Sequence, residues 1–106
     1  MDLNFNKNED HNKLKLSELR KKLAAVKLGG GKNRIEKHHA KGKMTARERI
    51  DYLLDDDNDC LEIGTFAGEG MYEEHGGCPS GGVVVKIGHV QKRLCVVVAN
   101  DATVKA

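Results

Sequence analysis

The stretch GGGKNRIEKHHAKGKMTARERIDYLLD, residues 29–55, decides the fold of this chain. It joins a glycine break to a short basic segment and then to a sharply started helix. In the tetrapeptide TARE at 45–48, the Thr45 side chain can accept from a backbone N–H while Glu48 reaches back to it, which is a capping box. The spacing predicts a helix with one apolar face. That face comprises Ala46, Ile50, Leu53 and Leu54.

Two helices are expected before this one. Apolar residues at three- and four-residue steps from Leu14 to Leu28, with Lys and Arg between them, predict an amphipathic helix. The three glycines at 29–31 should end it, since glycine readily takes the left-handed conformation of a helix C-terminus. A shorter helix is expected over 32–40. The polar residues 1–12 are expected to form a disordered arm. The apolar stripe of the first helix comprises Leu16, Leu19, Leu23 and Val26.

Beyond the acidic turn, the periodicity changes from helical to extended. Residues 60–66 are expected to form a strand, and the glycine-rich residues 68–82 a long loop. The β-branched runs 83–90 and 94–99 are separated by Gln91-Lys92-Arg93, which predicts an antiparallel hairpin. The second run, LCVVVA, is apolar on both faces and is predicted to be a buried strand.

Charge is distributed unevenly along the 106 residues, although the net charge is only +2. Residues 1–44 hold 12 Lys and Arg against five Asp and Glu, whereas residues 45–106 hold six against 11. A basic half attracts anions, whether phosphates of nucleic acid, a nucleotide cofactor or an acidic partner. Three widely spaced cysteines fit a reducing, cytoplasmic compartment. No apolar run approaches the length of a membrane span.

Seven cations between residues 32 and 49 form the strongest candidate contact surface. They are Lys32, Arg34, Lys37, Lys41, Lys43, Arg47 and Arg49. Nucleic-acid binding would normally add aromatic side chains for base stacking or a recognised motif, and this segment has neither. A solvated helical face and a surface facing an anion or a neighbouring subunit both stay open. A small basic nucleic-acid-binding module and a subunit-assembly module without catalysis are therefore the alternatives to an enzyme.

Two familiar motifs fail on spacing. The GGGK tetrapeptide lacks the earlier glycine and the Ser or Thr of a phosphate-binding loop, because Val26 and Asn33 occupy those positions. Structural zinc needs paired ligands two to four residues apart, and adjacent His38 and His39 with the distant Cys60 do not supply them. The sequence therefore predicts no metal site.

Two loops carry polar residues that could act chemically. Residues 71–77 hold a paired carboxylate and a histidine, which could serve acid–base chemistry, although a solvent-exposed loop is the simpler interpretation. Residues 100–105 follow the apolar strand, where ligand-contacting loops often lie. A plain strand exit is equally compatible with that second segment.

The block at 29–55, together with GGCPSGGVVVKIGHVQKRLCVVVANDATVKA at 76–106, resembles a known family signature. It is similar to the carboxyltransferase (beta) subunits of biotin-dependent acyl-CoA carboxylases of the propionyl-CoA and methylcrotonyl-CoA type. Sodium-pump decarboxylases acting on methylmalonyl-CoA or glutaconyl-CoA share this signature. The matching residues are Gly30, Gly31, Arg34, Gly42, Lys43, residues 45–49 and the strand exit VVVANDATV.

The resemblance implies an α+β fold, with N-terminal helices followed by the first strands of a crotonase-like (ClpP/crotonase) carboxyltransferase N-terminal domain, incomplete in this chain. Residues 13–106 would form that portion, helical over 13–55 and β-rich over 60–106. The family transfers a carboxyl group from carboxybiotin to an acyl-CoA, and we expect this chain to be an N-terminal fragment that is inactive alone. The family's glycines that hold the reacting oxygens would follow residue 106, so no catalytic residue is assigned.

The resemblance also implies partners. Biotin would be carried on a partner protein or subunit, with a biotin carboxylase and a biotin carrier as further partners, and the parent protein would be a homo-oligomer. No nucleic acid and no membrane are expected. In such folds the exit of an early strand lies near bound CoA. The CoA-proximal candidates are Asp101, Thr103, Val104 and Lys105.

Overall fold

A computed structural model describes residues 3–104 as three helices followed by a three-stranded sheet. The helices are α1 (Leu3–Lys27), α2 (Lys32–Ala40) and α3 (Ala46–Leu53). The strands are β1 (Cys60–Ile63), β2 (Val83–Val90) and β3 (Arg93–Asn100). Two short 3₁₀ turns, Glu73–His75 and Pro79–Gly82, lie in the long loop between β1 and β2.

Helix α1 begins earlier than the sequence predicted. Residues 3–12, expected to be a disordered arm, form its first turns, and residues 1 and 2 lie outside the described part of the chain. No glycine or proline interrupts the helix, and Glu9 pairs with Lys13 one turn later at 3.2 Å. None of its described side chains is buried, so the predicted apolar stripe is left largely uncovered.

Helix α3 supplies the core. The predicted capping box is confirmed, since the backbone N–H of Glu48 donates to Thr45 Oγ1 at 3.3 Å. Leu53 was wrongly placed on the buried face: it is 50% exposed, and Leu54 fills the last place against the sheet from an extended C-cap conformation. The buried apolar cluster comprises Ala46, Ile50, Leu54 and Val84.

The sheet is antiparallel in the order β1-β2-β3. Val90 faces Arg93, so the predicted hairpin is confirmed with a two-residue turn at Gln91 and Lys92. Both turn residues have positive φ, 49° and 68°, as the tightest hairpin turns require. The Asp55 carboxylate accepts from both of their amides at 2.7 Å, which ties the end of α3 to the hairpin.

Strand β3 is not the buried strand that its sequence predicted. Alternate residues turn toward α3, but Leu94, Val96 and Val98 are 69%, 64% and 61% exposed. The cause is the layering of the described residues: α3 covers one face of the sheet, and β3 forms an edge. Within the described residues, β3 therefore has an unpaired edge and an uncovered apolar face. Leu61 and Ile63 of β1 extend the same exposed face.

Candidate functional site at the strand exit

The segment 100–104 that leaves β3 is held from inside by two polar side chains. Asp101 Oδ1 accepts from the Thr103 backbone N–H at 3.0 Å and from Thr103 Oγ1 at 2.5 Å. The same Thr103 oxygen accepts from the backbone N–H of Gly30 at 3.0 Å. Asp101 and Thr103 are only 7% and 4% exposed. These two predicted residues therefore shape the loop, and their polar atoms bond within the chain.

The glycine turn after α1 makes this contact possible. A Cβ at Gly30 would lie 1.6 Å from the carbonyl oxygen of Thr103, and one at Gly29 would lie 2.5 Å from Asp101 Oδ2. Gly29 also has a positive φ of 52°. The glycines thus do more than end α1: they allow its C-terminus to approach the strand exit. Sequence reasoning missed this contact, because glycines at a helix end already had a sufficient local explanation.

Helix α2 adds a second clamp on the loop. One terminal nitrogen of Arg34 donates to the carbonyl oxygens of Thr103 and Val104, each at 3.2 Å. Val104 is half-buried, whereas Lys105, the last predicted CoA-proximal residue, lies outside the described residues. Arg34, which the sequence placed in both the basic cluster and the family signature, is the residue that ties α2 to the strand exit.

Two clefts flank the loop and share His38, Ala102 and Thr103 as lining residues. The larger, of about 480 Å³, lies toward the start of α3, and the smaller, of about 250 Å³, lies toward α2. We call them together the basic trough. Its cations are Arg34, Lys37, Lys41, Lys43 and Arg49. The one acidic residue that lines it is Asp101, whose Oδ1 is bonded to Thr103.

Arg47, although part of the same basic cluster in the sequence, does not line the basic trough. Its guanidinium pairs with both oxygens of Glu62 on β1, and the two side chains are only 14% and 15% exposed. It also donates to Ser80 Oγ at 3.3 Å, and Ser80 in turn donates to the carbonyl of Thr65 at 2.9 Å. Burial raises the pKa of Glu62, but hydrogen bonds from Arg47 and Thr65 outweigh it and hold that pKa below 4.5. Arg47 thus braces the glycine-rich loop rather than presenting a charge to solvent.

The two adjacent histidines connect α2 to the start of α3. His38 Nε2 lies 3.0 Å from the carbonyl of Met44, and His39 Nε2 lies 2.5 Å from Glu48 Oε1. The hydrogen bond with His39, assisted by Thr45, holds the pKa of Glu48 below its ordinary value. Among residues 3–104, no cluster of three or more His, Cys, Asp or Glu is arranged to hold a metal ion.

The remaining polar loop stays apart from the trough. Glu74 and His75 are 73% and 77% exposed at the side chain and approach each other only to 3.9 Å. No helix in the described part of the chain is both long and apolar enough to cross a membrane.

Comparison with known proteins defines the class of this fold. The structure superposes on transcarboxylase 12S, solved with methylmalonyl-coenzyme A and methylmalonic acid bound, with a TM-score of 0.74 and 32% identity over 83% of this chain and 17% of that one. The beta subunit of Pseudomonas aeruginosa geranyl-CoA carboxylase gives a TM-score of 0.53 at 27% identity, over 84% and 15% of the two chains. The predicted α+β fold, with helices leading into the first strands of a crotonase-like domain, is confirmed.

Sequence comparison names the family. The carboxyl transferase domain matches residues 37–106, well over half of the chain. The biotin-dependent 3-methylcrotonyl-coenzyme A carboxylase beta1 subunit of Mycobacterium tuberculosis is 44% identical over 97 residues, which are 92% of this chain and 18% of the relative. Methylmalonyl-CoA decarboxylase subunit alpha of Veillonella parvula is 44% identical over 94 residues, 86% and 18% of the two chains. The chain therefore belongs to the carboxyl transferase family, as its sequence signature indicated.

The chain spans less than a fifth of the length of these relatives. The relatives' names do not favour the nucleic-acid or assembly module that charge alone had left open.

Proposed function

We propose that this chain forms the N-terminal part of an acyl-CoA carboxyltransferase, which transfers a carboxyl group from carboxybiotin to an acyl-CoA of the propionyl-CoA kind. Within that protein, the strand exit at 101–105 lies beside the bound CoA. The observation that carries the proposal is that Gly30 and Arg34 both hold this loop, although they lie 73 and 69 positions before Thr103 in the sequence. A loop held rigidly at the end of a strand is the ordinary way to present a ligand contact.

The roles of the predicted residues differ. The side chains of Asp101 and Thr103 fix the loop's backbone, so what they offer a ligand is the position of the loop. Ala102 is exposed between them, and Val104 follows at the surface of the smaller cleft. We propose that Ala102 and Val104 face the CoA, and that Asp101 and Thr103 act as positioning residues. Lys105 stays a CoA-proximal candidate outside the described residues.

Between residues 101 and 104, the loop does not offer a pair of free backbone N–H groups of the kind that can hold a ureido or enolate oxygen. Here the amides of Gly30, Thr103 and Val104 already donate within the chain, to Thr103 Oγ1, Asp101 Oδ1 and the carbonyl of Asp101 respectively. We therefore assign no catalytic residue and no chemical step to residues 3–104.

The partners proposed for the whole protein follow from its relatives. Two of them are named as biotin-dependent, which supports biotin carried on a partner protein or subunit, together with a biotin carboxylase. The hexamer described for transcarboxylase 12S supports a homo-oligomeric parent protein. A cytoplasmic location, proposed from cysteine usage, is testable by cell fractionation.

A chimera tests this function. The matching part of this chain would replace the corresponding segment of the Mycobacterium tuberculosis beta1 subunit, which is 44% identical over 97 residues. We expect the chimera to assemble and to carboxylate 3-methylcrotonyl-CoA. A matched chimera carrying Gly30→Val, which drives a side chain into the Thr103 carbonyl, should lose that activity. A chimera that assembles normally but transfers no carboxyl group would contradict the proposal.

A further inference from the structure

The apolar stripe of α1 is covered by the chain's own residues at one end only. Leu23 and Val26 are half-buried, and Val26 lines a cleft of about 210 Å³ against the glycine-rich loop. Leu16 and Leu19, one to two turns earlier, are exposed, as is every residue from 7 to 22. Among residues 3–104, most of the stripe therefore faces solvent.

The spacing of the stripe is that of a coiled-coil seam. Its four apolar residues, Leu16, Leu19, Leu23 and Val26, follow one another at steps of three, four and three positions. Phe5 and Asn12 continue the seam toward the N-terminus, at intervals of seven from Leu19. A seam this narrow meets one helix lying nearly parallel to it, whereas a helix that packs on a globular core carries a broader apolar face.

Basic side chains flank the seam on both sides. Residues 13–27 hold six Lys and Arg against one Glu. Arg20 and Lys27 form no ion pair with any residue between 3 and 104, and the three pairs made by the other flanking cations are exposed. Exposed pairs are weak, so these cations can exchange their partners for carboxylates of another protein. The flanking cations are Lys13, Arg20 and Lys27 on one side, and Lys15 and Lys22 on the other.

This charge pattern disfavours a second copy of the chain as the occupant of the seam. In a parallel pair of α1 helices, Lys15 of one copy would face Arg20 of the other, and Lys22 would face Lys27. In an antiparallel pair, each basic flank would face its own copy. An anionic lipid surface also fits poorly, because interfacial helices present a broad apolar face and this seam is narrow and interrupted by Asn12.

We infer that α1 binds an acidic amphipathic helix of a partner protein, through the seam from Phe5 to Leu19 and its flanking cations. The apolar residues supply contact area, and the cations select Glu or Asp side chains beside the partner's own seam. Asn12 favours a partner helix that carries a polar side chain at the same level. The inference goes beyond the proposed function, since α1 lines no part of the basic trough and no step of carboxyl transfer depends on it.

A designed acidic helix tests the inference on the 106-residue chain. The probe is a labelled peptide of about four heptads with Leu at the seam positions and Glu at the flanking ones. A second peptide carries Lys in place of each Glu, and binding is followed by fluorescence anisotropy. The test variant is Leu16→Gln/Leu19→Gln. Its matched control is Leu3→Gln/Leu14→Gln, at two exposed leucines on the opposite side of α1.

A second pair of variants tests the charges. Arg20→Glu/Lys27→Glu reverses two flanking cations, whereas Lys7→Glu/Lys21→Glu makes the same change in net charge on the opposite side of the helix. Circular dichroism checks that α1 stays helical in each variant, and glutamine and glutamate are both good helix formers. If the Leu16/Leu19 variant loses helicity, the two charge variants decide the question.

We expect the acidic peptide to bind and the basic peptide not to bind. The Leu16/Leu19 and Arg20/Lys27 variants should each weaken binding about tenfold, and their controls about twofold or less. The effect of the Arg20/Lys27 variant should shrink as salt is added.

Three results would overturn the inference: equal binding of the two peptides, equal weakening by a variant and its control, or no binding of the acidic peptide to the folded chain. Two further results would replace it with another occupant. Self-association lost in the Leu16/Leu19 variant would identify a second copy. Tighter binding to phosphatidylglycerol vesicles than to the acidic peptide would identify a lipid surface.

Discussion

The backbone N–H of Gly30 donates a hydrogen bond to the side-chain oxygen of Thr103 across 73 positions of sequence, at 3.0 Å. This contact joins the C-terminal end of α1 to the exit of β3. It requires both partners in their present form, since Gly30 has no room for a Cβ and Thr103 must accept there while donating to Asp101. The position of the candidate site therefore depends on a helix end and a strand end that approach each other closely.

Substitution of Gly30 tests that approach. We expect Gly30→Ala to destabilise the chain by about 1–3 kcal/mol, because the new Cβ would meet the Thr103 carbonyl. It should also abolish amide-exchange protection at Thr103. Gly42→Ala is the control: its φ is 74°, but a Cβ there would meet no atom within 4 Å, so its cost is local backbone strain alone. Retained protection at Thr103 in Gly30→Ala would refute the docking.

The hydroxyl of Thr103 is the second test. Thr103→Val keeps the side-chain shape but leaves the Gly30 amide without its acceptor and Asp101 without one of its two donors. We therefore expect a loss of about 1–3 kcal/mol in urea unfolding. Thr103→Ser keeps the hydroxyl and should cost less than half as much. If valine and serine are equally tolerated, the hydrogen bonds contribute nothing measurable.

The half-buried pair of Arg47 and Glu62 predicts that losing one partner costs more than losing both. Arg47→Met leaves the Glu62 carboxylate without its cation, and we expect a loss of about 1–3 kcal/mol. The double variant Arg47→Met/Glu62→Met removes both charges and should recover a substantial part of that loss. A double-mutant cycle from denaturant unfolding measures the coupling, and additive costs would argue against a functioning pair.

Glu62 also gives a pH dependence. Its pKa in the folded chain lies below the ordinary 4.5, so the fold favours the ionised form. The stability it contributes is present above about pH 4.5 and is lost as the pH falls through the folded pKa. We expect Glu62→Gln to be less stable than the parent at neutral pH and to lose less stability on acidification. A parallel acid response in both proteins would contradict the depressed pKa.

The backbone amides of the hairpin turn can be used to measure the pKa of Asp55. Hydrogen bonds from the amides of Lys92 and Gln91 hold the pKa of this carboxyl below its ordinary 3.8. The two amide proton shifts should therefore titrate together, with a midpoint below 3.8. In Asp55→Asn neither shift should titrate in that range. A midpoint at or above the ordinary value would show that the contacts are not kept in solution.

Local rules predicted much of this fold. The α2 boundaries, the Thr45 cap and the hairpin follow from glycine breaks, the capping box and β-branched runs, which act within a few residues. The family signature at 29–55 supplied the rest of the architecture, and it did so correctly.

What could not be predicted depends on contacts distant in sequence. The periodicity of β3 cannot show which faces are covered, so its exposed Val96 was missed. Arg47 belongs by sequence to a basic cluster, yet its partner Glu62 lies on a strand 15 positions away. The docking of Gly30 on Thr103 leaves no local trace, because a helix-ending glycine looks the same whether or not a loop packs against it.

The most direct test of the central claim is a structure of the active chimera with an acyl-CoA bound. We predict that the bound acyl-CoA passes along the strand exit and contacts Ala102 and Val104. Binding of CoA on another face of these residues, away from the strand exit, would contradict it.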